Sequence, residues 1–340
     1  HTMKGVLLVN LGSPASTSTK DVRKYLDQFL MDERVIDAPY WLRTLLVRGI
    51  ILNTRPKKSA KAYKKIWWDE GSPLIVLSER LHTKVQEKTE LPVALSMRYG
   101  DPSMKTGLQE LHDKGVTDVL IVPLYPQHAM ATTDTILVLA EQLRKKFFPQ
   151  MTFTDIPAFY HKKEYIKVLA ESIKTSLEGK EWDKILFSYH GIPERHVRKS
   201  DITKSHCKPN DSVNFECCKT ASPAHEFCYK HQCYETTKQV VEYLGIEPHQ
   251  HFVSFQSRLA GDPWLQPYTD KMLEKYPIEG VKKLAVVTPA FVSDCLETLE
   301  EIAMEGKEEF LKAGGEEFYA IPCINDNDDW VDVLVNWIEA

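Results

Sequence analysis

The sequence predicts an α/β fold in two domains, each a four-stranded parallel sheet flanked by helices. Three observations predict it. Short apolar runs recur eight times along the chain, and most are continuous rather than alternating. Strands buried on both faces of a parallel sheet have that signature. Amphipathic stretches of helical period separate the runs, and strand–helix–strand alternation implies right-handed crossovers. Finally, 340 residues exceed one typical core and suit two domains of roughly 150 residues each.

In chain order, the predicted strands of the first domain are 6–10, 93–97, 119–124 and 153–157, with a helix at 133–148. Those of the second are 185–189, 252–255, 284–288 and 318–321, with helices at 164–177 and 235–244. The boundary falls near residue 160, giving domains 1–160 and 161–340. The last helix, 330–339, is expected to pack back on the first domain.

Two segments break the alternation. Residues 39–76 hold no strand. Tyr40, Trp41, Leu42, Leu45, Leu46, Ile50, Ile51 and Leu52 are followed by a basic run from Lys57 to Lys65 and then by Trp67-Trp68. Burial in the core is the simpler reading, and an apolar lip over a flat ligand or a membrane surface is the other. Residues 201–230 are polar, cysteine-rich and without periodicity, as in an insertion held by something other than a hydrophobic core.

The composition is ordinary for a globular protein, at 43% hydrophobic and 27% charged. A net charge of −5 gives no global basic field for nucleic acid or an anionic membrane. No apolar run approaches the ~18–20 residues that span a bilayer. Residues 1–2 read as a tag remnant before Met3, and no basic leader precedes the first strand. An intracellular reducing compartment is therefore expected. Five of the seven cysteines crowd into 207–233, where clustered thiols are more often metal ligands than disulfides.

Four constellations carry chemistry. A predicted strand ends at His190, and Gly191-Ile192-Pro193 turns the chain. Ligands bind beyond the carboxyl ends of strands in open α/β sheets, where an imidazole can take a proton or bind a metal. A histidine that merely caps the strand is the alternative. Second, Pro289 to Glu301 follows another strand, with Ser293 or Asp294 as candidate caps. There Glu297, Glu301, Glu305 and Glu308 recur at four-, four- and three-residue steps along one helical face. Such a row fits either a solvated acidic face or a path for cations in and protons out. Third, Trp264 sits in a Gly- and Pro-rich loop and can wall a planar ligand or pack the loop to the body. Fourth, Cys207, Cys217, Cys218, Cys228 and Cys233 match no tight zinc knuckle. Four thiolates suit a [2Fe–2S] cluster. Zinc, free thiols, and mixed ligation with His206, His225 or His231 stay open. No GxGxxG, Walker, GxSxG or HExxH pattern is present, which disfavours nucleotide chemistry and the common hydrolases.

Several segments in order carry a resemblance. They are Leu8 to Pro14, Phe29 to Asp37, Arg55-Pro56 through Tyr63, Gly71-Ser72-Pro73-Leu74, Met97-Arg98-Tyr99-Gly100 and Tyr125-Pro126-Gln127, then the His190, Trp264 and Glu297 segments. Together they resemble the ferrochelatase family over nearly the whole chain, in its bacterial, protoporphyrin-using branch. The resemblance implies two Rossmann-like, chelatase-type domains with a porphyrin cleft between them and residues 39–76 at its lip. It implies insertion of Fe²⁺ into protoporphyrin IX, the final step of haem biosynthesis, with His190 and Glu297 facing at the metal. Leu11, Arg55, Tyr63, Ser72 and Trp264 become porphyrin contacts, and Asp294 and Glu301 a proton or metal path. The implied location is cytoplasmic, with peripheral contact at the inner face of the membrane.

The chain departs from the vertebrate pattern. Cys295 stands where vertebrate relatives have histidine. Met130 stands at the upstream cluster cysteine, and the cysteine-bearing C-terminal extension is missing. A bacterial subset resembles this chain in binding a [2Fe–2S] cluster through an internal segment. That favours a cluster on four of Cys207, Cys217, Cys218, Cys228 and Cys233. The other readings are a chelatase for another metal or porphyrin, a non-catalytic haem-binding protein, and a two-domain solute binder.

Overall fold

A computed structural model describes residues 2–204, 222–259 and 263–340. Among them the chain divides into two compact units. One comprises His1–Tyr125, Met130–Pro157 and Asn325–Ala340, and the other Pro126–Ala129 and Ala158–Ile324.

The first unit holds β1 (Lys4–Gly12), α1 (Thr19–Leu30), α2 (Tyr40–Leu46), α3 (Leu52–Ile66), α4 (Pro73–Glu87), β2 (Val93–Tyr99), α5 (Met104–Asp113), β3 (Asp118–Pro123), α6 (Thr135–Phe147) and β4 (Thr152–Asp155). Its sheet is parallel throughout, in the order β2-β1-β3-β4. Val6, Leu7, Leu8 and Val9 in central β1 are fully buried, because helices cover both faces of such a sheet. The last helix of the chain, at Asp328–Glu339, belongs to this unit and packs on α4. Trp330, Val331, Leu334 and Ile338 are fully buried there, at about 1.5–3 kcal/mol per large apolar side chain. Ion pairs from Lys84 to Asp326 and Asp328, and from Lys88 to Asp332, lie at the edge of the contact.

The second unit repeats the plan with α7 (Lys163–Leu177), β5 (Lys184–His190), α8 (Glu194–Lys199), α9 (Tyr229–Leu244), β6 (His251–Gln256), α10 (Thr269–Ile278), β7 (Lys283–Val287), α11 (Lys307–Lys312) and β8 (Glu317–Ala320). The Asp328–Glu339 helix is thus α12. The order is β6-β5-β7-β8, again all parallel. All eight predicted strands are present, within two residues of their expected bounds at each end.

Three local features differ from the sequence reading. Helix α9 begins six residues earlier than the periodicity indicated. Its first turn carries no apolar period, and it is started by Cys228, whose sulfur accepts from the His231 N–H at 3.5 Å. The segment after β7 is a π-helix, Glu297–Gly306, running into α11. Its cap position is Leu296 with no side-chain cap, so neither Ser293 nor Asp294 fills that place. The simpler reading of residues 39–76 holds for Leu52, which is buried, and is corrected for four of the other apolar side chains. Tyr40, Trp41, Leu45 and Ile50 are 56–70% exposed on α2 and on the π-turn Val47–Ile51 that joins it to α3. Pro56 inside α3 has no N–H for the Leu52 carbonyl, and the Arg23 guanidinium donates there instead.

Candidate active site

Strand order reverses between β1 and β3 in the first sheet and between β5 and β7 in the second. Such reversals leave a crevice at the carboxyl ends of the strands. Leu11 lies near the end of β1, His190 ends β5 and Glu297 follows β7, whereas Arg55 and Tyr63 stand on α3.

In the second unit, His190 is the last residue of β5, half-buried, and lies in register with Gln256, the last residue of β6. The imidazole Nδ1 is 2.6 Å from the Gly191 carbonyl. A carbonyl only accepts, so Nδ1 carries the proton and Nε2 keeps its lone pair for a proton or a metal. Gly191 is needed for its size. A Cβ there would stand 2.8 Å from the Gln256 carbonyl and 3.4 Å from the Trp264 ring. Trp264 is thereby close against the His190 turn, and Leu265 N–H donates to the Ile192 carbonyl at 3.0 Å. The Phe291 ring stands edge-on to the imidazole, with centroids 6.1 Å apart.

Glu297 opens the π-helix after β7. Gln256 donates from Nε2 to the Glu297 carbonyl at 3.1 Å, and its Oε1 accepts from Ser188 at 2.7 Å. One amide side chain therefore ties the end of β5, the end of β6 and the start of the π-helix. In a π-helix the i→i+5 bonding widens each turn, and the wide turn still keeps Glu297, Glu301 and Glu305 in one row. The row runs outward, from half-buried Glu297 and Glu301 to exposed Glu305 and Glu308. Burial pushes the Glu301 carboxyl up to about 7, and the negative charge of Glu297 adds to it. Hydrogen bonds from the Ser257 N–H, at 3.0 Å, and hydroxyl work in the opposite direction. Ser257 makes both bonds from a left-handed backbone, φ +65°, a conformation that costs a non-glycine residue energy. Asp294 is buried and accepts from Thr298 at 2.7 Å and from the Cys323 N–H at 3.2 Å.

In the first unit, Leu11 lies at the end of β1, where its N–H meets the Tyr125 hydroxyl at 3.1 Å. Ser72 is buried and donates to Ser13 Oγ at 2.6 Å. Tyr63 is buried on α3, edge-on to Trp67, and Arg55 is exposed on the same helix. The Arg98-Tyr99 pair packs around the Asp32 carboxylate, whose side chain is 5% exposed. Arg98 donates to it at 3.1 Å, Tyr99 at 2.5 Å, and Thr135 donates as well. Burial alone would raise the Asp32 carboxyl, but these bonds, the Arg34 N–H and the Arg98 charge hold it below the usual range.

Of the cysteines, Cys207, Cys217 and Cys218 lie outside the described residues. Cys228 and Cys233 are both buried, at the start of α9 and one turn into it. Among the described residues, no group of three or more His, Cys, Asp or Glu side chains stands ready to hold a metal. Gln256, Ser257 and Tyr229, which fix the site, were not singled out in the sequence. The only signal was that Gln256 closes the strand leading into the Trp264 loop and Ser257 follows it.

Two parallel sheets of like order, with candidate ligands at the strand-order reversals, define an α/β protein of the chelatase fold. The sirohydrochlorin chelatase SirB of Bacillus subtilis subspecies spizizenii, solved with cobalt, superposes with a TM-score of 0.56 over 99% of this chain and 94% of that one, at 11% identity. SirB from Bacillus subtilis with Fe³⁺ gives 0.54 over 99% and 95%. The ferrochelatase family model matches residues 3–340. The ferrochelatase of Ectopseudomonas mendocina is 49% identical over 97% of this chain and 95% of its own length. That of Opitutus terrae is 46% identical over 99% and 98%. The chain belongs to the ferrochelatase family.

Proposed function

We propose that this chain inserts Fe²⁺ into protoporphyrin IX to give protohaem, with release of two protons. The observation that carries the reading is the Gln256 tie, which joins β5, with His190 at its end, to the π-helix that opens at Glu297. Imidazole plus carboxylate suits ferrous iron. A flat macrocycle hides its nitrogen lone pairs, and a site that bends the ring exposes them at the expense of peripheral binding energy. His190 takes a pyrrole proton or is the last ligand of the arriving iron, and Glu297 ligates or compensates charge. Leu11, Arg55, Tyr63 and Ser72 in the first unit, and Trp264 in the second, are the porphyrin contacts. Glu301, poised near neutrality, relays protons toward exposed Glu305, with Asp294 holding the start of that helix. The test is an anaerobic assay offering Fe²⁺, Co²⁺ and Zn²⁺ with protoporphyrin and coproporphyrin. Fastest turnover is expected for Fe²⁺ with protoporphyrin. Binding of finished haem without insertion of any metal would favour the non-catalytic reading.

The cysteine-rich insertion is read as holding a [2Fe–2S] cluster on Cys207, Cys217, Cys218 and Cys228. Cys228 suits the task, because it stands at the start of α9, where the insertion joins the helix, and its sulfur accepts a backbone N–H. Cys233 is left out of this set because it lies fully buried one turn inside α9, away from the insertion. The cluster's role is structural or regulatory, since the metal-insertion residues lie outside the insertion. Cys228→Ser is expected to lose the visible absorption with the bound iron and sulfide, and Cys233→Ser to keep them. The reverse pattern, or wild type without sulfide, would count against this ligand set.

The exposed Tyr40, Trp41, Leu45 and Ile50, followed by exposed Lys57, Lys58 and Lys61, suit peripheral contact with the cytoplasmic face of an anionic membrane. No described helix is long and apolar enough to cross one. Trp41→Ser is expected to weaken co-sedimentation with phosphatidylserine-containing vesicles about tenfold. Wild-type protein that stays in the supernatant would remove the membrane role.

A further inference from the structure

We propose that Tyr229 is the positioning residue of the metal-insertion site, holding the backbone of His190 so that its imidazole keeps Nε2 free. The inference deepens the proposed function and rests on the role given there to His190.

The Tyr229 hydroxyl donates to the His190 carbonyl at 2.7 Å. That carbonyl stands at the end of β5, where the strand ladder stops: the next residue, Gly191, donates its N–H to Gln256. Without the phenol, the His190–Gly191 peptide would be held only through its N–H, by Gln256. The Gly191 carbonyl, on the next peptide along, is the acceptor that selects the Nδ1–H tautomer, so a turn of the His190–Gly191 peptide displaces that acceptor. Partners of this kind set the tautomer and orientation of a ligating histidine.

The phenol is fully committed. Tyr229 is 5% exposed, and a buried hydroxyl without a partner would be costly. Its one proton goes to His190. Packing alone would be met by phenylalanine, so the hydroxyl is there for the carbonyl. Tyr229 also follows Cys228 directly in sequence, so the start of α9 couples the cysteine-rich insertion to the backbone of His190.

The test compares Tyr229→Phe and His190→Ala with wild type. Iron-insertion kinetics are measured together with ¹⁵N-histidine spectra that report the His190 tautomer. Tyr229→Phe is expected to lower kcat about tenfold with KM for porphyrin near wild type. The His190 signal should change from the Nδ1–H form to a mixture, a change that loss of global stability would not produce. Wild-type kcat and tautomer in Tyr229→Phe, with His190→Ala inactive, overturn this proposal alone. Full activity in His190→Ala instead overturns the function on which it rests. If Tyr229→Phe does not fold, replacing Tyr229 by 3-fluorotyrosine, whose phenol is a stronger donor of nearly the same size, reads the same signal: a shifted His190 resonance supports the contact, and an unchanged one overturns it.

Discussion

His190→Ala is expected to lower the rate of iron insertion by at least about a hundredfold, the lower end of what a positioned proton acceptor contributes. Porphyrin binding, followed by the absorption of bound porphyrin, should stay near wild type. Both expectations follow from the position of the side chain. His190 is the last residue of β5, and its backbone is held by Tyr229 and by strand pairing, so removing the ring leaves the strand end intact. What is lost is one free Nε2 beside Phe291 and Trp264. The loss is the same whether that nitrogen receives a pyrrole proton or hands over iron. The two roles separate in a rescue experiment: added imidazole should restore turnover if the nitrogen acts as a base, and restore it poorly if it must deliver the metal in a fixed geometry. Full activity without the ring would remove the central role.

Glu297→Gln is expected to have the second-largest effect, again about a hundredfold or more on turnover. The amide keeps the size of the side chain, and the Gln256 contact is to the Glu297 backbone, so the fold is unaffected. The charge is gone, and with it the carboxylate for arriving iron. A second consequence concerns Glu301. The negative charge of Glu297 helps to hold the Glu301 carboxyl near 7, because a like charge disfavours ionisation. Its removal should move the Glu301 titration to lower pH, leaving that group ionised at neutral pH and less able to pass protons on. Carboxyl-stretch infrared titration of the two proteins reads this directly. An unchanged Glu301 titration would separate the two residues and break the proposed relay.

The strands were legible because a parallel strand buried on both faces writes its burial into contiguous sequence. Val6 to Val9 and Leu284 to Val287 are apolar without interruption. His190 and Glu297 were legible because each follows such a run. The start of α9 was not legible, since Cys228 caps it and no apolar period announces its first turn. The exposure of Trp41 and Ile50 was hidden for the opposite reason: hydrophobicity signals burial, and a surface built for contact carries the same letters as a core. Tyr229, Gln256 and Ser257 were invisible because their importance lies in bonds to residues 39, 41 and 44 positions away. No local pattern encodes a hydrogen bond across that distance. The row of glutamates could be counted, but its inward gradient of burial depends on what packs over the π-helix.

The most direct measurement is a single anaerobic turnover, mixing the protein with equimolar protoporphyrin IX and Fe²⁺ while recording haem absorption and proton release together. The account predicts protohaem formation with two protons released per haem in wild type, and neither signal above the uncatalysed rate in His190→Ala. Equal rates in the two proteins, or porphyrin bound by wild type without metal insertion, would contradict it.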